Sequence, residues 1–359
     1  MKIAFYNIGN LHIASKVVAR KFGFEMVDSP APNKESVVKG VSIAPEFSCL
    51  PFKVIIGTFI QALEKGADLL VIPTGETITA CQTSDFALAH KYLLGKEGYT
   101  FDIIMYKSFN PKDILKNFKK YNPELSLRMV SETMVIFTQK LFLLESVDSY
   151  YQKLYISVHK KQAEKFKKKW QTIIDTTDSM FELYRLNKKI KNDYQKFPHI
   201  DFTTMLKIAV VGDIYSINEN YINNKIFDRL CDLNVYPEKS TPFSILITNK
   251  FGFGIEDPLM KQRVKSYLKH NIGSFAQHTI KKVIKYAEEG YDGIIHIYPF
   301  NCMPETVVRS ILPKISMDYD IPILYLSIDE QTGDAGFATR IEAFVDLITI
   351  RKNKNTKRK

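Results

Sequence analysis

Short apolar runs alternate with segments of helical period along the first 110 residues. The runs KIAFYN, ADLLVIP and YTFDIIMY have the length and continuous apolar character of strands buried in a parallel sheet. Between the first two lies LPFKVIIGTFIQALEKG, a helical pattern with Pro51 in its first turn and Gly66 at its end. This alternation predicts a doubly wound, Rossmann-like or flavodoxin-like α/β lobe over residues 1–110.

The pattern changes after residue 110 and returns after residue 204. Residues 111–204 are lysine-rich and mostly helical in period, which predicts a helical region joining two lobes. The alternation resumes with LKIAVVGDIYSI, YDGIIHIYP and IPILYLSID, so we expect a second α/β lobe with a parallel sheet over residues 205–350. Residues 351–359 are basic, and we expect them to form a disordered tail.

One supersecondary pattern occurs in both predicted lobes. ALEKGADLLVIP and YAEEGYDGIIHIYP each read as helix, glycine, one residue, aspartate, buried strand and proline, and each is followed by a loop, a cysteine and a helix. We therefore expect one structural unit used twice, with glycine ending each helix in a left-handed turn. The corresponding pairs are Gly66 and Gly290, Asp68 and Asp292, and Cys81 and Cys302.

The charge balance favours an acidic partner or a phosphate-bearing ligand, since the chain has a net charge of +11. Between Tyr151 and Ile200 there are twelve Lys and Arg against five Asp and Glu. No zinc-finger spacing or aromatic strand motif accompanies these basic runs, so we expect a solvated helical face and no nucleic-acid partner. We find no secretory leader pattern and no apolar run long enough to span a membrane, and expect a cytoplasmic protein without a membrane partner.

The four cysteines fall into two classes by position. Cys49, Cys81 and Cys302 each stand in a loop just before a predicted helix, whereas Cys231 lies within a helix and reads as a core residue. A helix N-terminus stabilises a thiolate, so the first three could ligate zinc or an iron–sulfur cluster. They could equally be three independent small residues at turns, and the residues alone leave both interpretations open.

Other catalytic signatures are absent. The chain has no phosphate-binding loop, no G-x-G-x-x-G after a strand, no G-x-S-x-G and no H-E-x-x-H, so we expect no ATPase activity of its own. The lone glycine of KIAVVGDIY predicts a simple strand exit. His296 is better explained as a satisfied core or cleft residue than as a ligand.

A resemblance extends over both lobes. PEFSCLPFKVIIGTFIQALEKGADLLVIP, TACQ, VVGDIYSINE, PFNCMPETVVRSILPKI and IPILYLSIDEQTGDAGFATRIEAFVDLI resemble the CoA-enzyme activase-related family. That family is similar to the iron–sulfur subunits of 2-hydroxyacyl-CoA dehydratases and to double-cubane-cluster proteins. The resemblance implies that Cys49, Cys81 and Cys302 hold a cluster, 4Fe-4S or double-cubane 8Fe-9S, between two α/β lobes. It also implies an ATP-dependent activase as electron donor, an acyl-CoA or small-molecule substrate, and a homodimer or heterodimer.

Four residues near the cysteines are candidates for contacts to sulfur or substrate. Glu46 and Asn301 flank the cysteines in loops, and Lys53 and Glu305 fall in first helical turns. The alternatives are helix capping for Glu305 and a solvated charge for Lys53. The resemblance favours a reductase or dehydratase-like enzyme, and the alternatives are an electron-transfer accessory protein or a cluster-free α/β binding protein.

Overall fold

A computed structural model describes residues 1–5, 7–73, 86–106, 109–244 and 257–356. The chain divides into two compact units, each containing one four-stranded sheet. Within the described residues, the first unit comprises Met1–Asp148, Lys167–Asp193 and residues 243–244. The second comprises Ser149–Phe166, Tyr194–Pro242 and the C-terminal part of the chain.

The first unit has a parallel sheet in the strand order β2-β1-β3-β4, which is the flavodoxin-like order. Its elements are β1 (Lys2–Phe5), α1 (Gly9–Lys21), β2 (Glu25–Met26), α2 (Lys34–Ile43), α3 (Leu50–Glu64), β3 (Leu69–Pro73), α4 (Phe86–Lys96), β4 (Asp102–Tyr106) and α5 (Pro111–Phe118).

Three long helices follow, namely α6 (Leu127–Ser157), α7 (Lys160–Thr176) and α8 (Met180–Tyr194), and their residues are divided between the two units. One lysine of this helical region, Lys140 of α6, is fully buried. Its Nζ donates to Asp178 Oδ1 and to the Asp175 carbonyl, both at 2.7 Å. Burial lowers the pKa of Lys140, while Asp178 opposes that shift.

The second unit repeats the architecture with the parallel strand order β6-β5-β7-β8. The prediction of two α/β lobes with parallel sheets is therefore confirmed. The elements of this unit are β5 (Leu206–Gly212), α9 (Ile214–Asn218), α10 (Ile226–Asp232), β6 (Val235–Lys239), α11 (Pro258–Tyr267), α12 (Ala276–Glu288), β7 (Gly293–Pro299), α13 (Met303–Asp318), β8 (Ile323–Ile328) and α14 (Asp334–Thr356).

The part of the predicted repeat that the structure describes, from the helix-ending glycine to the strand, is present in both units, and Cys81 lies outside the described residues. In the first unit the Asp68 N–H donates to the Lys2 carbonyl at 2.9 Å, and Asp68 Oδ1 accepts from the Lys2 N–H at 2.8 Å. In the second unit Asp292 makes the same pair of bonds to Lys207, at 2.9 and 2.8 Å. Each aspartate thus ties the start of the following strand to the neighbouring first strand.

The chain end differs from the predicted tail, because α14 continues past Arg351 as far as Thr356. Arg351 donates to the Asp320 carbonyl at 2.7 Å, and Lys352 donates to Asp292 Oδ2 at 3.1 Å. These bonds hold the basic residues against the lobe in a helix. Among the described residues, no helix combines the length and apolarity needed to cross a membrane.

Candidate functional site

Cys49 begins α3 at the end of a tight turn. The Ser48 N–H donates to the Pro45 carbonyl at 2.9 Å, which reverses the chain, and Cys49 then takes the extended conformation of an N-cap. Pro51 stands in the first turn, and the cysteine makes no side-chain capping bond. The half-exposed Cys49 thiol therefore lies at the positive end of a fifteen-residue helix.

Cys302 begins α13 in the same way. Its N–H donates to the Pro299 carbonyl at 3.0 Å, and Asn301 takes the left-handed conformation that closes this turn, with φ of 64°. Cys302 is the N-cap of a sixteen-residue helix with Pro304 in its first turn, again without a side-chain capping bond. Its thiol is also half-exposed. The two cysteines thus share a local setting, the N-cap of a long helix with proline two residues later.

Both turns share a sequence pattern that was not among the expectations, Phe-x-Cys-x-Pro. Phe47 precedes Cys49, and Phe300 precedes Cys302, by two residues each. Both phenylalanines are unusually open to solvent, at 80% and 56% exposed. Exposed apolar surface can mark an interaction site, and here an exposed phenylalanine recurs beside each candidate ligand. Aligning the two cysteine segments with each other would have revealed the pattern.

The other two cysteines differ from this pair. Cys81, the third predicted ligand, lies outside the described residues. Cys231 is 3% exposed in α10, and its thiol lies 3.9 Å from the Gln152 carbonyl as a weak donor. Burial raises the pKa of Cys231, so this thiol stays protonated. The structure therefore agrees with a core role for Cys231.

The neighbours predicted at Cys49 have different environments. Glu46 is exposed in the turn, whereas Lys53 is only 4% exposed. Lys53 is covered because α2 packs very closely on α3, where a Cβ on Gly40 would lie 1.7 Å from the Lys53 carbonyl oxygen. The interpretation of Lys53 as a solvated charge is therefore wrong.

Glu305, in the first turn of α13, is completely buried. Its Oε2 lies 2.8 Å from His296 Nε2 on β7, and its Oε1 accepts from Thr279 Oγ1 on α12 at 3.0 Å. Both carboxylate oxygens are thus engaged by side chains. His296 is also fully buried and stacks on Tyr298 with ring centroids 4.7 Å apart. In the described part of the chain, His296 Nδ1 has no hydrogen-bond partner.

Asp213, which the sequence analysis did not single out, follows β5 on the same side of the sheet. Val211 pairs with His296 in the β5–β7 register, and alternation places Asp213 on the His296 face. Asp213 Oδ1 accepts from the backbone N–H groups of Tyr215 and Ser216 at 2.9 and 3.0 Å. Its Oδ2 is buried and has no partner among the described residues.

Burial is the largest influence on Asp213 and raises its pKa to about 7. The Ser216 and Tyr215 bonds oppose this shift, and the nearby Glu305 charge adds to it. We call Asp213, Thr279, His296 and Glu305 the buried acid cluster. Asp213 lies just beyond β5 and His296 lies on β7, and the strand order of the sheet reverses between these two strands.

Comparison with known families identifies the chain. Residues 7–240 match the family described as CoA enzyme activase uncharacterised domain (DUF2229), which is more than half of the 359 residues. The chain belongs to this family. No curated protein matches the sequence. The residues that match this activase-related family include Cys49 and Cys81 and end before Cys302.

The chemistry of the two described thiols in this family member fits a thiophilic metal centre. Iron–sulfur clusters take thiolate ligands, and a helix N-terminus lowers the free energy of a thiolate. No group of three or more His, Cys, Asp or Glu side chains that could hold a metal ion occurs within the described residues. Cys49 and Cys302 are among these described residues, and Cys81 lies outside them.

Proposed function

We propose that this protein carries an iron–sulfur cluster held by Cys49, Cys81 and Cys302, reduced by a separate ATP-dependent activase. The observation that supports this best is the repeated Phe-x-Cys-x-Pro turn, which gives two half-exposed thiols the same position at a helix N-terminus. Membership of an activase-related family agrees with an activase-linked role. The absence of a phosphate-binding loop in the sequence agrees with an electron acceptor that relies on another protein for ATP hydrolysis.

The chain's own contribution at Cys49 and Cys302 is electrostatic and conformational. Each N-terminal helix end carries about half a positive charge, which favours the thiolate over the thiol. Proline in the first turn fixes the start of each helix, so the sulfur is held by a rigid element. The bound cluster would supply low-potential electrons for reductive or radical chemistry. Asn301 and Glu46 flank the cysteines and are the proposed contacts to sulfur or substrate. Lys53, four residues after Cys49 in α3, is a further candidate.

The buried acid cluster gives this chemistry a place to hold a proton. Reduction of a substrate consumes protons as well as electrons, and Asp213 with a pKa of about 7 is partly protonated at neutral pH. Glu305 stands in the first turn of the helix that Cys302 begins, with His296 bonded to it. We assign Glu305 and His296 a positioning role beside the Cys302 turn.

Substrate and cluster type follow from similarity alone. A dehydratase-like protein would act on a 2-hydroxyacyl-CoA with a single cubane, 4Fe-4S, and a double-cubane protein, 8Fe-9S, would reduce a small molecule. Either would work as a homodimer or heterodimer. Turnover that requires both activase and ATP would identify an enzyme, whereas cluster reduction without any turnover would identify an electron-carrying accessory protein.

Serine variants test the ligand assignment. Cys49→Ser and Cys302→Ser, purified without oxygen, should each lose or convert the cluster while remaining folded by circular dichroism. Cys231→Ser is the matched control, since that thiol is buried in α10 and should not change the iron content. Retention of full iron and an unchanged visible spectrum in Cys49→Ser and Cys302→Ser would refute the proposed ligand set.

A further inference from the structure

The second unit contains a cavity beside the Cys302 turn. Its volume is about 590 Å³, which lies within the range of small-molecule sites. It opens along β8, the edge strand of the sheet. The residues that line it are Tyr298, Phe300, Asn301, Thr306, Arg309, Ile323, Leu324, Tyr325, Ser327 and Arg340.

The cavity has an apolar floor made by the sheet. Tyr298 pairs with Ser327 in the β7–β8 register, and alternation along β8 places Tyr325 and Ile323 on the same face as Ser327. Phe300, just beyond β7, is 56% exposed and adds a further aromatic wall. A ligand with an aromatic or aliphatic body would bury apolar surface on these side chains.

The charged groups that line the cavity are two arginines. Arg309 lies on α13 one turn after Thr306, and Arg340 comes from α14. Arg340 donates to the Tyr325 carbonyl, which satisfies a backbone group on the open sheet edge. Arg309 makes no hydrogen bond or ion pair with any described residue, and no carboxylate from the described chain lines the cavity. Two guanidinium groups without an acidic partner favour an anionic ligand.

We infer that this cavity binds a small organic anion, with a phosphate or carboxylate head at Arg309 and Arg340 and an apolar body on Tyr298, Phe300 and Tyr325. Guanidinium groups bind both kinds of head through paired hydrogen bonds. The inference concerns the second unit alone and does not rest on the iron–sulfur proposal. It would place an anion-binding site next to the Cys302 turn, since Phe300 and Asn301 belong to both.

Calorimetric titration of the full chain with four probes tests this inference. Phenyl phosphate and phenylacetate present the two heads on the same ring. Inorganic phosphate presents the phosphate head alone, and benzyl alcohol presents the aromatic body without an anionic head. One of the two ring-bearing anions should bind at one site per chain, at least about tenfold more tightly than either part alone. Whichever of the two binds more tightly identifies the head group. Failure of both, or equal binding of benzyl alcohol, would overturn the inference.

Arg309→Gln is the decisive variant, because Arg309 has no partner in the described structure whose loss could disturb the fold. It should weaken the preferred anion by about ten- to a hundredfold, the range for a charge-assisted hydrogen bond. Arg263→Gln is the matched control, since Arg263 pairs with Glu288 and does not line the cavity. Equal affinity in Arg309→Gln and the wild type would overturn the inference.

The same titration on Cys302→Ser separates this inference from the cluster proposal. Cys302 does not line the cavity, so we expect the Cys302→Ser protein to bind the anion within about threefold of the wild type even when it contains no iron. Binding that disappears together with the iron would show that the anion site depends on the cluster, and would contradict its independence.

Discussion

The buried acid cluster predicts a specific pH dependence of stability that Asp213→Asn should remove. In the folded chain, burial raises the pKa of Asp213 from 3.8 to about 7, so the folded form keeps a proton that the unfolded form releases. The free energy of unfolding therefore falls as the pH rises from about 4 to about 7, and stays low above that. Asparagine preserves an oxygen acceptor for the Tyr215 and Ser216 N–H groups but does not titrate.

The size of the effect follows from the shift. One pKa unit corresponds to about 1.4 kcal/mol, so a shift of about three units lowers stability by about 4 kcal/mol above pH 7 relative to acid. Between pH 5 and pH 7 the wild type should lose about 2 kcal/mol relative to Asp213→Asn. Below about pH 4 the titration should contribute nothing to the difference between the two proteins.

Urea unfolding at pH 5, 6, 7 and 8, followed by far-ultraviolet circular dichroism, measures this difference. Leu312→Ala is the control. Leu312 is a buried core residue of the same unit, and its truncation should lower the free energy of unfolding by about 2–5 kcal/mol at every pH. A difference between wild type and Asp213→Asn that is constant from pH 5 to pH 8 would refute the reasoning. A wild type that gains stability relative to the variant as pH rises would refute it as well.

Three further substitutions test packing. Gly212→Ala should cost at least about 2 kcal/mol in a melting experiment, because a Cβ would lie 1.9 Å from the Ile297 carbonyl oxygen and φ is 142°. Gly40→Ala should destabilise the first unit by a similar amount, since its Cβ would meet the Lys53 carbonyl. A wild-type melting temperature in either alanine variant would contradict the close approach at that glycine. Lys140→Met should lower the unfolding free energy by about 1–3 kcal/mol, since its aspartate partner loses a buried cation. A neutral effect on urea unfolding would show that packing replaces this pair.

Local patterns predicted much of the fold. Strand and helix alternation predicted both parallel sheets, and Gly66 and Gly290 take the left-handed conformation expected where their helices end. The two aspartates were matched from the sequence because each stands at the same distance from a glycine and a buried strand. Each bonds to a single strand residue through its backbone and carboxylate, so its role depends on few other residues. Such features are encoded within a few positions, and sequence reasoning reaches them.

The buried acid cluster could not be predicted in this way. Its members come from the end of β5, from α12, from β7 and from α13, and they meet only because the β5–β7 register sets Val211 against His296. Glu305 in a first helical turn looks like a capping residue until α12 is seen to cover it. Lys53 looked solvated for a similar reason, because the close packing of α2 on α3 is not visible in either helix alone.

The central claim is that cysteines hold an iron–sulfur cluster, and the measurement that tests it most directly is iron and acid-labile sulfide per chain after purification without oxygen. The account predicts about four irons with matching sulfide for a single cubane, or about eight irons for a double cubane, together with a broad visible absorption that is lost in air. Iron-free, colourless protein that also fails to take up iron and sulfide on reconstitution would contradict it.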